Sequence, residues 1–291
     1  MADAHQNGQI EGDTEVANVQ SMTLTLNDGR TLSWAELGLA DSDAIIVANH
    51  GSPSSRLELA MHEPLLVELG LRVLAPERPG YGLSSPAPRQ RAVADWASDV
   101  LQLLDAVGVG DFAVSGYSGG GPHALAIAAA QSLRPRVTSV LLVASLAPGW
   151  EPRTEHDREI VARAGRVPWT DFVDWYETDL GGELAELPPA DAAAFADPAY
   201  LSAAMATIEE SSRQGSVGDA SDQWAFATPW GFDLGDVRQH VDIWHGTADT
   251  IATPAGAYEL NDELHDSTVH SLDGEGHFSI SLHIGDMLRR T

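Results

Sequence analysis

The chain has 291 residues, a formal net charge of -27 and a sequence pI near 4.4, so its surface repels nucleic acid and anionic membranes. It contains no cysteine, which excludes disulfides, thiolate metal sites and a cysteine nucleophile. No apolar run reaches the roughly 18 residues of a transmembrane helix. We therefore expect a cytoplasmic protein, monomeric or homodimeric, with a small-molecule substrate.

The composition has a second feature, which is that all 16 basic side chains are arginines. An acidic, lysine-free composition is typical of proteins adapted to high salt. A GC-rich genome that uses arginine codons explains it as well, and we favour this second interpretation. Residues 1–20 are polar and acidic and lack the features of a signal peptide, so they predict a flexible leader.

After a predicted hairpin, strands and helices alternate from about residue 44 to residue 145. Segments 21–26 and 31–37 flank a turn and predict a β-hairpin. Short apolar runs predict buried strands at 44–49, 71–76, 111–114 and 137–144. Helices are predicted at 56–69, 92–107 and 122–130. This alternation is typical of a doubly wound parallel sheet, whose functional residues collect at the carboxyl ends of the strands.

The segment 148–232 has helical runs and no clear strand, so it predicts a helical insertion that covers the site. Five of the eight tryptophans lie in it: Trp150, Trp169, Trp175, Trp224 and Trp230. These side chains either line an apolar pocket or pack the insertion itself, and the pattern favours neither alternative. Strands at 241–244 and 267–272 then resume the sheet. The predicted core domain therefore comprises 21–147 and 233–291.

One motif stands at the strand-to-helix junction 111–130. Residues 116–120 read G-x-S-x-G, with Ser118 at the centre. A β-prone segment precedes the motif and a helix-prone segment follows it, as a nucleophile elbow requires. Gly116 and Gly120 are expected because a Cβ at either place would obstruct the turn. An ordinary glycine-rich turn is the alternative.

The chain resembles the α/β-hydrolase family in the order of four motifs that follow predicted strands. They are HGSP at 50–53, GYSGG at 116–120, WHGTAD at 244–249 and GEGH at 274–277. Ser…Asp…His is the chain order of this family. The loops HGSPSSR and RPGYGLS are similar to those of a subgroup with HGxPxSR and RPGYGxS loops.

The resemblance spans about residues 21–290. It implies the α/β-hydrolase fold, which is a mostly parallel eight-stranded sheet with helices on both faces. The insertion 148–232 would form a helical cap, because a cap domain occupies this position in the family.

The resemblance also implies a catalytic triad of Ser118 as nucleophile, His277 as base and Asp249 as orienting acid. A serine hydroxyl is a weak nucleophile at neutral pH and needs an adjacent base. The acid holds the imidazole in the required tautomer. Asp242 and Glu275 are weaker candidates for the acid. Three further histidines are less suited to be the base by their positions: His123, His245 and His283.

The oxyanion hole is expected to consist of the backbone N–H groups of Ser52 and Gly119. Pro53 has no N–H group and fixes the loop that aims Ser52. Three residues are expected to shape the pocket and its loops: His50, Gly51 and Tyr117. Two arginines either brace these loops, which we favour, or bind a substrate carboxylate: Arg56 and Arg78.

These residues predict a serine hydrolase that cleaves a carboxylic ester or lactone through an acyl-serine, without metal or cofactor. Its substrate is expected to be partly apolar. The same triad serves C–C bond hydrolases and aminopeptidases, and the latter would need acidic groups in the cap, such as Glu209, Glu210 or Asp219. A slow-turnover ligand-binding protein on the same scaffold is a further alternative.

Overall fold

A computed structural model describes residues 10–16, 19–149, 152, 154–178 and 186–290, and for 10–16 it describes the backbone alone. In this part of the chain the strands form one nine-stranded sheet with the order β1-β2-β3-β5-β4-β6-β7-β8-β9. They are β1 Ile10–Val16, β2 Val19–Thr25, β3 Thr31–Gly38, β4 Ile45–Asn49, β5 Arg72–Pro76, β6 Phe112–Tyr117, β7 Val137–Val143, β8 Val241–Gly246 and β9 Ser267–Leu272.

The sheet is antiparallel at one side and parallel across the rest. Strands β1, β2 and β3 pair antiparallel, as β3 does with β5, whereas all pairs from β5 to β9 are parallel. The eight predicted strands correspond to β2–β9. The predicted fold class is therefore confirmed, and β1 is an additional edge strand.

Strand β1 corrects the prediction of a flexible leader over 1–20. Residues 10–16 pair antiparallel with β2. Their acidic sequence hid the strand, because an edge strand needs backbone partners on one side only and tolerates charged side chains. The remaining leader residues, 1–9 and 17–18, lie outside the described residues.

Ten α-helices complete the described part of the chain. They are α1 Glu63–Glu68, α2 Trp96–Ala106, α3 Gly120–Ala129, α4 Glu155–Arg163, α5 Trp169–Thr178, α6 Pro189–Ala196, α7 Pro198–Ser211, α8 Val217–Phe226, α9 Pro254–Glu263 and α10 Ile284–Leu288. Helices α4–α8 form the predicted helical insertion between β7 and β8. None of the described helices is long and apolar enough to cross a membrane.

Helices cover both faces of the sheet because strand side chains alternate between the faces. In β4, Val47 belongs to a core cluster that includes residues of α2, α3 and α9, whereas Ile46 and Ala48 belong to a second cluster that includes residues of α1 and α10. These strands are buried on both faces, which explains their continuous apolar sequences.

The tryptophans of the insertion contribute mainly to its own packing. Trp224 is buried with Phe172 and Tyr176 in a cluster between α5 and α8, and Trp169 and Trp175 lie against this cluster. Trp230 is buried in the main core, and Trp150 lies outside the described residues. Packing, rather than a tryptophan-lined pocket, therefore accounts for the four described tryptophans.

Candidate active site

The parallel strand ends place the predicted motifs along one edge of the sheet. Gly116 in β6 is level with Asn49 in β4 and with Leu142 in β7. In the same register, Trp244 in β8 is level with Val143 in β7. The segments that follow these strands carry the HGSP loop, Ser118 and the acid loop.

Ser118 lies on a sharp turn between β6 and α3. Its φ angle is 52°, a left-handed conformation that is strained for a residue with a Cβ. Its backbone N–H is held by the Val143 carbonyl at 2.9 Å. A Cβ on Gly116 would overlap the Gly120 carbonyl, and one on Gly120 would overlap the carbonyl of Asn49. The turn therefore requires these two glycines.

The structure brings the three predicted triad residues together. The Nε2 atom of His277 lies 3.0 Å from the Ser118 hydroxyl oxygen, and its Nδ1 atom lies 2.8 Å from Oδ2 of Asp249. All three side chains are buried. With Nδ1 donating to the carboxylate, Nε2 is free to accept the hydroxyl proton.

Asp249 is held as a carboxylate by several donors. Its Oδ1 atom accepts hydrogen bonds from the N–H groups of Ile251 at 2.8 Å and Ala252 at 3.0 Å. Burial raises its pKa, but hydrogen bonds from His245 and His277 outweigh this effect and lower the pKa to about 2. The acid is therefore ionised throughout the neutral range.

His245 is a partner of the acid that sequence reasoning missed. Its Nε2 atom lies 3.2 Å from Oδ2 of Asp249 and 2.7 Å from the Ala252 carbonyl oxygen, so Nε2 carries the proton. The only sequence signal was its position, four residues before Asp249 at the end of β8.

Tyr117 supports the histidine rather than lining an open pocket. Its hydroxyl donates to the His277 carbonyl at 2.8 Å, and its ring lies against the imidazole with a centroid distance of 5.4 Å. Burial raises the pKa of Tyr117 well above its usual value, so the hydroxyl stays a donor.

The HGSP loop lies directly against the elbow. A Cβ on Gly119 would overlap the Ser52 hydroxyl group, so the two predicted oxyanion donors belong to adjacent segments. The N–H of Gly51 donates to Oε2 of Glu58 at 2.8 Å. The Ser52 hydroxyl donates to Oδ2 of Asp222, in α8 of the insertion, at 2.5 Å.

Arg78 braces this loop through its carbonyl groups. Its guanidinium donates to the carbonyls of His50 at 2.5 Å and Gly51 at 2.7 Å, and it is paired with Asp222 at 2.7 Å. Burial and the charge of Arg78 lower the pKa of His50, which is neutral and structural. Arg56 is fully buried and pairs with Glu77 at 2.6 Å. Both arginines are braces, and neither is open to a substrate carboxylate.

Two other histidines that the sequence left aside have structural contacts. His123 is buried behind the elbow with Nδ1 2.9 Å from the Gly119 carbonyl, and burial lowers its pKa to about 4. His283 lies 2.9 Å from Glu275, outside the triad. Within the described ranges, no group of three or more His, Cys, Asp or Glu residues is arranged to hold a metal ion.

Glu58 should make stability depend on pH. Burial raises its pKa from 4.5 to about 7, although the hydrogen bonds from Gly51 and Ser54 lower it. The unfolded chain therefore releases the Glu58 proton at lower pH than the folded chain does. As a result, the contribution of Glu58 to the free energy of unfolding falls as pH rises from about 4.5 to about 7. One pKa unit corresponds to about 1.4 kcal/mol.

Because Glu58 is partly exposed, we expect Glu58→Gln to stabilise the fold by only about 1–2 kcal/mol at pH 8, with little effect at pH 4. Urea denaturation across this pH range measures the difference. An equal effect at both pH values would contradict the assignment of the ionisation to Glu58.

Comparison with known proteins agrees with this architecture. The family model described as alpha/beta hydrolase fold matches residues 45–283, which is most of the chain. The chain belongs to this family. The resemblance inferred from the motifs is thus confirmed, together with the expected class of fold.

Individual relatives of this α/β-hydrolase include esterases and a lactonase. A pimeloyl-[acyl-carrier protein] methyl ester esterase from Aromatoleum aromaticum is 29% identical over 75% of this chain and 84% of its own length. The enol-lactonase from Burkholderia xenovorans LB400 superposes with a TM-score of 0.68 at 21% identity, covering 92% of this chain and 97% of its own. An esterase from Thermogutta terrifontis superposes with a TM-score of 0.66 at 20% identity, covering 97% of each chain.

Proposed function

We propose that this protein is a serine hydrolase that cleaves carboxylic esters or lactones through an acyl-serine intermediate. The observation that carries the proposal is the continuous hydrogen-bonded chain from Ser118 through His277 to Asp249. This arrangement matches what serine activation requires, namely a nucleophile, a base within reach of it and a carboxylate that orients the base.

The reaction follows from the contacts of these side chains. His277 accepts the Ser118 proton at Nε2 while the serine oxygen attacks the carbonyl carbon. The protonated imidazole then gives this proton to the leaving alkoxide as the C–O bond breaks. A water molecule, deprotonated by the same imidazole, attacks the acyl carbon of the acyl-serine. The imidazolium then returns the proton to the Ser118 oxygen as the bond from this oxygen to the acyl carbon breaks and the carboxylic acid is released. Asp249 stabilises the imidazolium in both halves of the cycle.

The tetrahedral intermediates need donors for a negative oxygen, and we assign this role to the N–H groups of Ser52 and Gly119. Loss of one such donor typically raises the barrier by about 3 kcal/mol. Arg78 and Asp222 hold the Ser52 loop through the Gly51 carbonyl and the Ser52 hydroxyl, which keeps the donors in place before the substrate arrives.

The surroundings favour ester or lactone cleavage over aminopeptidase chemistry. An aminopeptidase would need a free acidic group in the insertion to bind the amine. Two of the three candidates are engaged in other contacts: Glu210 is paired with Arg56 and Arg213, and Asp219 accepts a hydrogen bond from the Tyr176 hydroxyl at 2.6 Å. The third, Glu209, is exposed on α7. The similarity of the chain to an esterase and to a lactonase supports the same choice.

The proposal is tested by a substrate panel. We expect p-nitrophenyl acyl esters and simple lactones to be hydrolysed, and amino-acid arylamides and dienone acids to react much more slowly. A clear preference for arylamides or dienones would replace the ester assignment by the corresponding alternative. A protein that binds esters without turnover would be a ligand-binding member of the fold.

A further inference from the structure

Asp191 makes an unusual set of contacts from the insertion to the segment that carries the histidine. It is the third residue of α6, and its side chain is fully buried. Its Oδ2 atom accepts a hydrogen bond from the N–H of His277 at 3.0 Å. Its Oδ1 atom accepts from the N–H groups of Phe278 at 3.0 Å and Ser279 at 2.8 Å.

A buried carboxylate is stable only when its charge is compensated. Within the described ranges, no basic side chain forms an ion pair with Asp191, so three backbone N–H groups provide the compensation instead. Hydrogen bonds from an N–H group to an ionised acceptor are among the stronger ones in proteins. This carboxylate therefore ties α6 firmly to residues 277–279.

Gly276 lets the backbone approach the carboxylate. A Cβ built on Gly276 would lie within van der Waals overlap of all atoms of the Asp191 carboxyl group. Because the φ angle of Gly276 is outside the left-handed region, close approach, rather than backbone conformation, explains the glycine here. The second glycine of the GEGH sequence at 274–277 thus leaves room for a carboxylate that belongs to a distant helix.

The contacts of Asp191 complete a clamp on the backbone of His277. The N–H of His277 donates to Asp191, and its carbonyl accepts from the Tyr117 hydroxyl. Two side chains of the insertion also hold the next residue. Phe195 packs edge-to-face on Phe278 at 5.0 Å, and the Tyr200 hydroxyl donates to the Phe278 carbonyl at 3.0 Å.

We propose that Asp191 is a positioning residue for the base, through which the helical insertion holds His277 in line with Ser118 and Asp249. This inference rests on the proposed function. An error of about 1 Å in the position of a reacting group lowers rates by about 100-fold. The insertion is then part of the catalytic apparatus and not only a cover over it.

The test measures the rate at which a fluorophosphonate labels Ser118, because this reaction needs the activated serine but no particular substrate. We expect Asp191→Asn to lower the labelling rate by about 30-fold or more, because one acceptor oxygen is replaced by an N–H₂ donor. The matched control is Asp157→Asn, which changes the same third position of α4, where the carboxylate accepts from the Thr154 N–H. It should label at the wild-type rate.

A second variant disturbs the same contact at the residue that lies against the Asp191 carboxylate. Gly276→Ala should also slow labelling, because the added methyl group displaces the Asp191 carboxylate. The control is Gly110→Ala, where a Cβ meets no atom within 4 Å. The double variant Asp191→Ala/Gly276→Ala should be no slower than Asp191→Ala alone, since the collision no longer exists.

Hydrogen exchange of the amides of residues 277–279 gives a readout that does not depend on activity. We expect faster exchange in this segment for Asp191→Asn at an unchanged circular dichroism spectrum. Wild-type labelling and exchange rates in both Asp191→Asn and Gly276→Ala would overturn the positioning role while leaving the proposed function intact. Failure of the wild-type protein to label at all would instead reject the proposed function, and the inference with it.

Discussion

Replacing Ser118 by alanine should lower kcat/KM for any ester that the wild-type protein hydrolyses by about 10³-fold or more. The Ser118 Oγ atom is the one triad atom that bonds to the substrate, and it lies 3.0 Å from Nε2 of His277. Residual hydrolysis is expected because the oxyanion donors remain. The measurement is steady-state hydrolysis of the best p-nitrophenyl ester.

The members of the triad act as a unit, so their effects should not add. We expect Ser118→Ala and Ser118→Ala/His277→Ala to have nearly the same rate. Ser115→Ala is the matched control on the same strand and should keep the wild-type rate. Unchanged activity in Ser118→Ala would reject the assignment of Ser118 as the nucleophile. A further large loss in the double variant would show that His277 contributes to hydrolysis independently of Ser118.

The second large effect is on stability, and it is expected for Asp222→Ala. Asp222 and Arg78 are both almost fully buried and are paired at 2.7 Å. Asp222 also accepts from the Tyr81 hydroxyl at 2.9 Å and from Ser52. Burial raises its pKa, but the charge of Arg78 outweighs this and the pKa is lowered. Asp222 is therefore an ionised anchor of the HGSP loop.

Removing the carboxylate leaves the guanidinium of Arg78 buried without its partner, which typically lowers the free energy of unfolding by about 3–5 kcal/mol. Urea denaturation of Asp222→Ala and of the wild type at pH 7 measures this loss of free energy of unfolding. Glu155→Ala is the comparison, because its pair with Arg158 is exposed and should contribute less than about 1 kcal/mol. Similar small losses in both variants would show that the buried pair does not hold the loop.

Sequence reasoning was strongest where the signal is local. The strand ends and the G-x-S-x-G turn depend on periodicity and on glycine positions, which are visible within about ten residues. These features predicted the parallel sheet and the turn at Ser118, and the resemblance to the α/β-hydrolase family added Asp249 and His277 as its expected partners. The edge strand β1 was missed because its acidic side chains carry no apolar pattern.

The anchors that cross from the insertion to the core were not predictable in the same way. Asp222 contacts Ser52 and Asp191 contacts His277 across 170 and 86 residues of chain, respectively. In a chain with 43 acidic residues, nothing local distinguishes these two carboxylates from surface charges. Their roles follow only from packing, which determines which carboxylates lose contact with water.

The most direct test of the central claim is peptide mapping of the protein after reaction with a fluorophosphonate. The account predicts one covalent adduct, on the peptide that contains Ser118, and a much slower reaction in Asp249→Asn, whose amide no longer enforces the reactive imidazole tautomer. An adduct on another serine, or equal labelling of Asp249→Asn and the wild type, would contradict the proposal that Ser118, His277 and Asp249 act together.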